Sequence, residues 1–316
     1  MKRVTLVTLA VAAGTFCLAG CQDEAAGPDS LVAPQFSASP AADAIAAMMD
    51  QVNVALEANG EDIRVAMAEY IGAGDEAGGT VIAKNVGNKM LGADFVPFDP
   101  RRAGWSGPVG GTDDDITYAI DQTIDAVPPF GGLTAAQTTA AIVRGIGTWD
   151  GVTCSALPLT QNPAGAVDIG YIAFLNGLGG SLNVLADVQH AGWRDINFAG
   201  GILGVTITFV FVSGGNPTDI DGNGLLDTAF REVYFDPSWV WQDDGVSNID
   251  VETVAAHEFG HGLSQGHFGN IYIKNDGSLK AAPRAMMNAL YASPYRSLAG
   301  TDVGGHCGIW DAWPVY

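Results

Sequence analysis

Positive charge is scarce in this sequence. Its 316 residues hold 14 lysines and arginines against 35 aspartates and glutamates. So acidic a chain offers nothing for nucleic acid or anionic lipid to bind non-specifically, which excludes both as general partners. The excess suits a soluble extracellular protein with room for Ca²⁺, although solubility alone accounts for most of it. Long apolar runs are also missing. The longest candidate, Val4 to Leu18, is too short for a comfortable membrane span, and nothing later is long and apolar enough to cross a bilayer. No internal repeat is present. Glycine is abundant, at 42 residues, and points to turns and loops rather than long helical repeats.

The amino-terminal segment reads as targeting, not structure. Lys2 and Arg3 precede the short apolar stretch, and Leu18-Ala19-Gly20-Cys21 follows it. These four residues resemble the lipobox of bacterial lipoproteins, in which the cysteine is lipidated and becomes the mature terminus. The competing reading is an ordinary secretory signal with an incidental cysteine. Both imply export, with any membrane association confined to a lipid on Cys21. Without residues 1–21 the balance is 12 basic against 35 acidic residues. Of the four cysteines, Cys17 lies in the signal and Cys21 is the lipidation candidate. Cys154 and Cys307 remain, and an even pair in an oxidising compartment reads as one disulfide. The alternative is two unrelated buried thiols.

Residues 22–40 are polar and proline-bearing, as in a flexible tether. Ile45, Met48, Met49, Val52 and Leu56 then share a helical face that Asn59-Gly60 ends. Residues 62–71 and 79–85 predict two strands around a glycine-rich turn. The small helix-plus-hairpin region 41–96 reads as a propeptide, an inhibitory module or a structural appendage. A loop-rich linker, 97–115, leads into one organised domain, 116–316. There, strands are predicted at 116–120, 167–172, 204–212 and 230–235, the last near a sheet edge. Thr134 and Gln137 form a capping box that opens a helix with Ile142, Ile146 and Trp149 on one face.

The chemistry concentrates in His257-Glu258-Phe259-Gly260-His261-Gly262-Leu263-Ser264-Gln265-Gly266-His267. A helix is predicted to precede it, with Asn248 as N-cap and Asp250 and Glu252 at the positive end of its dipole. Two histidines four apart project from one helical face, as a tetrahedral Zn²⁺ needs from two ligands. Glu258 reaches the open coordination position without binding the metal, and there it can activate water. A downstream glutamate cannot be the third ligand, because Glu258 is the last glutamate in the chain. His267 fills the role, completing a neutral three-imidazole set.

This segment resembles the metzincin signature HExxHxxGxxH, and Val254-Ala255-Ala256 before it is similar to matrixins in particular. Ala285-Met286-Met287-Asn288-Ala289-Leu290-Tyr291 resembles the matrixin Met-turn. The resemblance covers about residues 116–316 and implies a zinc endopeptidase, a monomer that takes protein or peptide substrates. It implies an α+β fold, in which a twisted, mostly parallel sheet with an antiparallel edge strand packs on two main helices before a small C-terminal part. It places Met287 beneath the metal as a structural floor, and Leu290 and Tyr291 in the wall of the substrate pocket. Two departures stand out. Ser264 replaces a glycine that permits a left-handed turn, so either Ser264 takes the strained conformation or the turn moves to Gly262 or Gly266. If it moves, His306 is the reserve ligand. Ala289 replaces the Met-turn proline. Nor does region 41–96 contain a cysteine, which excludes a cysteine-to-zinc latch of the matrixin propeptide kind.

A second metal candidate is the loop Asp219-Ile220-Asp221-Gly222-Asn223-Gly224-Leu225-Leu226-Asp227. Side-chain oxygens from Asp219, Asp221, Asn223 and Asp227, with the Leu225 carbonyl, match the first half of an EF-hand-type Ca²⁺ loop. Position twelve is Phe230, so Glu232 or Asp236 would have to close the shell. The alternative is a metal-free Asx turn. His190 reads as a packing histidine oriented by Asp187, and Trp105, Trp193 and Trp310 as core or loop anchors. Two other functions compete with the endopeptidase: a non-catalytic metal-binding envelope lipoprotein, and a zinc hydrolase of non-peptide bonds.

Overall fold

Each face of the central strands is apolar enough to need a cover, and that sets the layering. The computed structural model describes residues 40–73, 90–103, 114–198, 200–276 and 279–314. Cys21, Trp105 and the expected strand at 79–85 therefore lie outside the described residues. The helices are α1 (Pro40–Ala58), α2 (Ala135–Asp150), α3 (Tyr171–Leu175), α4 (Val251–Gly262) and α5 (Gly300–Trp310). The strands run β1 (Ile63–Ala73), β2 (Ala93–Asp94), β3 (Ile116–Tyr118), β4 (Leu159–Gln161), β5 (Val188–Trp193), β6 (Ile202–Ser213), β7 (Asn216–Pro217) and β8 (Leu226–Phe235). Shorter pieces follow: β9 (Trp241–Gln242), β10 (Ile249–Asp250), β11 (Asn270–Ile273), β12 (Leu279–Ala282) and β13 (Leu290–Tyr291).

The fold is α+β with a mixed sheet. Its order is β13-β1-β6-β8-β5-β3-β4, with β2 attached to β8 and β7 to β6. From β4 through β8 the strands are parallel, whereas β6 runs antiparallel to both β8 and β1. The expected antiparallel strand is therefore internal, not an edge. The reason is β1: it pairs with β6 from Ile63 to Gly72 and then parallel with β13. The first helix and first strand of region 41–96 are present, but the strand is built into the main sheet instead of a separate hairpin.

Helices cover both faces. On one, Ile142, Ile146 and Trp149 of α2 join Val254, Ala255 and Phe259 of α4 over Val188, Val233 and Phe235. On the other, Ile45, Met48, Val52 and Leu56 of α1 join Tyr171 and Ile172 of α3 over Val205, Ile207 and Phe209. The capping box of α2 forms as read: Thr134 N donates to Gln137 Oε1, and Gln137 N to Thr134 Oγ1. Gly145 lets α2 and α4 approach closely, since a Cβ there would lie 2.9 Å from Ala256 N and from Glu252 O. Trp149 Nε1 donates to Ala256 O across the same contact.

Two expected strands are corrected. Residues 167–172 form a loop that enters α3, because the buried Glu232 carboxylate accepts from Tyr171 N and Ile172 N and curls the chain there. Residues 230–235 belong to β8, which is central. The two charged residues of that stretch, Arg231 and Glu232, are fully buried and hydrogen-bonded. Cys154, after α2, is bonded to Cys307 on α5. Trp193 and Trp310 are core residues.

Candidate metal centre

The three histidines meet because a capped helix and one left-handed residue aim them at one point. Asp250, not Asn248, caps α4: its Oδ2 accepts from Thr253 N at 3.0 Å. Asn248 instead takes a positive φ of 47°, and its carbonyl accepts from the Tyr291 hydroxyl. Every residue of α4 is buried. His257 and His261 sit one turn apart with their Nε2 atoms 3.1 Å from each other, and His267 Nε2 lies 3.1 Å from that of His261.

Two of the three outer ring nitrogens reach a hydrogen-bond acceptor, and the third faces a carboxylate without a hydrogen bond to it. With protons on Nδ1, His257 donates to Met286 O and His261 to Gln265 O, both at 2.7 Å. Nδ1 of His267 lies 3.3 Å from Glu69 Oε2. That arrangement leaves the Nε2 lone pairs facing one another, which is repulsive unless a cation sits between them. Burial, then the charge of His267, pushes the His257 pKa down to about 3, and the same causes hold His261 well below its ordinary value. Both helical histidines are thus held neutral, the form in which an imidazole binds a zinc-like ion.

Ser264 settles the turn. Its φ is 66°, so the serine itself takes the left-handed conformation and the turn is not displaced to Gly262 or Gly266. Compensation comes from β8: Arg231 Nη1 donates to Ser264 Oγ and to Gly262 O, both at 2.9 Å. Strain of about 1 kcal/mol is thus set against a charge-assisted bond of about 2 kcal/mol. Ser264→Gly removes both terms and should change stability by about 1 kcal/mol or less. Ser264→Ala keeps the strain and loses the bond, so chemical denaturation should show a loss of about 2 kcal/mol. Equal stabilities for the two variants would refute this account.

His306 is not a member of the cluster. Its Nε2 lies 3.0 Å from Ser155 Oγ and its ring stacks on Trp149. The reserve ligand is therefore set aside. Met287 lies under α4 at Gly260, where a Cβ would meet its Sδ at 2.2 Å. The turn is shaped by Asp302 of α5, whose carboxylate accepts from Met286 N, Met287 N and Ala299 N. Leu290 and Tyr291 line a cavity of about 400 Å³ together with Ile71 and Met286.

Glu258 is fully buried beside the cluster. Its Oε2 lies 2.7 Å from the Thr206 hydroxyl of β6, and Oε1 has no hydrogen-bond partner. Burial raises its pKa well above the usual carboxylate value, against the lowering effect of Thr206 and of the Ile71 backbone amide. This is a carboxyl group poised to hold a proton, enclosed between Thr206 and the Ile71 amide.

The acidic loop is different. Asp219, Asp221 and Asp227 come within reach of one ion. Yet Asp219 already accepts from the amides of Gly222, Asn223 and Gly224, while Asp227 binds Arg101 and the Ile220 amide. Asn223 Oδ1 accepts from Leu225 N. Glu232 and Asp236 do not close the shell. Glu232 faces α3 from inside the sheet, and Asp236 lies past the far end of β8, roughly 30 Å along the strand from Asp227. His190 is buried with Nε2 3.0 Å from Asp125 Oδ2, so Asp125 and not Asp187 orients it. Burial opposes its protonation, but Asp125 raises its pKa overall. Asp187 instead holds Arg102.

Sequence reasoning missed Thr206, Asp302, Arg231 and Glu69. Each is distant in sequence from what it touches, and none stands in a motif. No protein-family model matches the chain, and no curated protein matches it significantly.

Proposed function

We propose that the chain is a zinc-dependent endopeptidase of the metzincin type, matrixin-like in its Met-turn. The observation that carries this reading is the convergence of His257, His261 and His267 Nε2 atoms beside a buried, partly unpartnered Glu258. The three imidazoles would hold a Zn²⁺, which would supply Lewis acidity for the scissile carbonyl and acidify water. Glu258 would take the proton from the attacking water and pass it to the leaving amine. Thr206 fixes one oxygen of that carboxylate. Leu290 and Tyr291 receive a substrate side chain in the adjoining cavity. Met287 supports α4 from below and takes no part in bond making.

Ca²⁺ on the Asp219–Asp227 loop is a secondary proposal for a structural role. Export and anchoring through a lipid on Cys21 complete the picture, with peptide or protein substrates met outside the cytoplasm and the protein acting as a monomer.

The decisive test is metal content of the soluble form lacking residues 1–21, compared with its His267→Ala variant. One zinc per chain is expected, with affinity lowered at least about 10-fold in the variant, the least that ligand loss should cause. Undiminished zinc in His267→Ala would exclude the three-histidine centre.

A further inference from the structure

The groove that a peptide would need beside Glu258 is already filled by the chain's own β1. This strand separates β6 from β13: it is antiparallel to the first and parallel to the second. Both sides are hydrogen-bonded at the site, with Gly72 N donating to Ala289 O at 3.0 Å and Ala73 N to Gly201 O at 2.6 Å. Without β1, β6 would be an open sheet edge next to α4, faced by the Leu290–Tyr291 segment across a slot one strand wide. A slot of that form takes an extended peptide by adding it as a strand.

The side chains of β1 match the slot as well as its backbone does. Glu69 and Ile71, two apart and so on one face, are 8% and 3% exposed. Glu69 Oε2 lies 3.3 Å from His267 Nδ1. Ile71 forms part of the wall of the cavity with Met286, Leu290 and Tyr291. At this point of β1 the Glu69 side chain faces the third histidine and the Ile71 amide lies against the Glu258 carboxylate. The ladder with β6 is irregular just here, with a register shift between Ile71 and Gly72. A shift of this kind weakens pairing locally.

We propose that β1 is an internal occupant of the substrate groove, held in the place of a peptide substrate by Ile71 in the pocket and by Glu69 against His267. The inference rests on the peptidase reading. It assigns to Glu69 a positioning role, as the outer partner of a ligand histidine, and it makes the full chain a self-blocked form in which an incoming peptide must displace β1.

The test uses the chain from residue 22, loaded with zinc, and a leucine-bearing peptide hydroxamate that chelates zinc while placing its side chain in the pocket. Zinc uptake is measured first by native mass spectrometry, then hydroxamate affinity by calorimetry, then amide hydrogen exchange. Ile71→Asp puts a charge into an apolar cavity and should expel β1. Glu69→Gln weakens the contact with His267 more gently and serves if the first variant does not fold. Hydroxamate should bind at least 10-fold more tightly to the variants than to the native chain. In the complex, amides of β1 should lose protection while those of β8 keep it. Zinc uptake with no gain of affinity in either variant, or with β1 still protected in the complex, overturns the occupancy and leaves the metal centre standing. Failure to take up zinc overturns both.

Discussion

Glu258→Gln should lower peptide hydrolysis by about 10²–10⁴-fold, the range that a positioned general base contributes, while zinc uptake stays unchanged. Glutamine keeps the volume of a fully buried side chain and keeps an oxygen for the Thr206 hydroxyl. What it removes is the proton-accepting capacity of the carboxylate. The loss belongs in the maximal rate more than in KM, because the role proposed for Glu258 is on the attacking water and not on the bound peptide. The measurement is best made with Ile71→Asp as background, so that the filled groove does not mask the comparison. A glutamine variant within 3-fold of its parent would exclude Glu258 as the base, even with zinc in place.

The local part of this centre was legible because it is written at helical spacing. His257, Glu258 and His261 lie within five residues, and a helix fixes their directions whatever surrounds it. His267 depends on a single turn residue, and there the sequence left two routes open. What chose between them is Arg231, 33 residues upstream, whose guanidinium lies on Ser264. No local rule reports such a bond. The same blindness bears on the misplaced edge strand: Arg231 holds the turn before His267 and Glu232 the start of α3, contacts that no local pattern in 230–235 announces. Strand β1 was recognised as a strand, but periodicity says nothing about a strand's neighbours. Pairing is a property of the whole sheet, and β1 was free on sequence grounds to form a hairpin or to fill the groove. Asp302 was invisible for a similar reason: its three amide partners become visible only when α5 is laid against the Met-turn.

Reduction of the Cys154–Cys307 bond should lower stability by about 4–5 kcal/mol if the bridge acts by restricting the unfolded chain, given the 153-residue separation it spans. For a domain of this size that corresponds to a fall in Tm on the order of 10 °C. The loss should also reach the metal. Cys307 lies on α5, and α5 carries Asp302, which accepts the amides of Met286 and Met287. The Met286 carbonyl in turn orients His257 through Nδ1. Loosening α5 therefore loosens His257, and if the proposed centre holds zinc, reduced protein should bind it more weakly than oxidised protein at a temperature where both are folded. Calorimetry of Cys154→Ser, Cys307→Ser and the double variant separates the two effects. The entropic contribution is lost once, so the double variant should be no less stable than the worse single one. A double variant that matches the native chain in both Tm and zinc affinity would show that neither the loop constraint nor the link through α5 holds the site together.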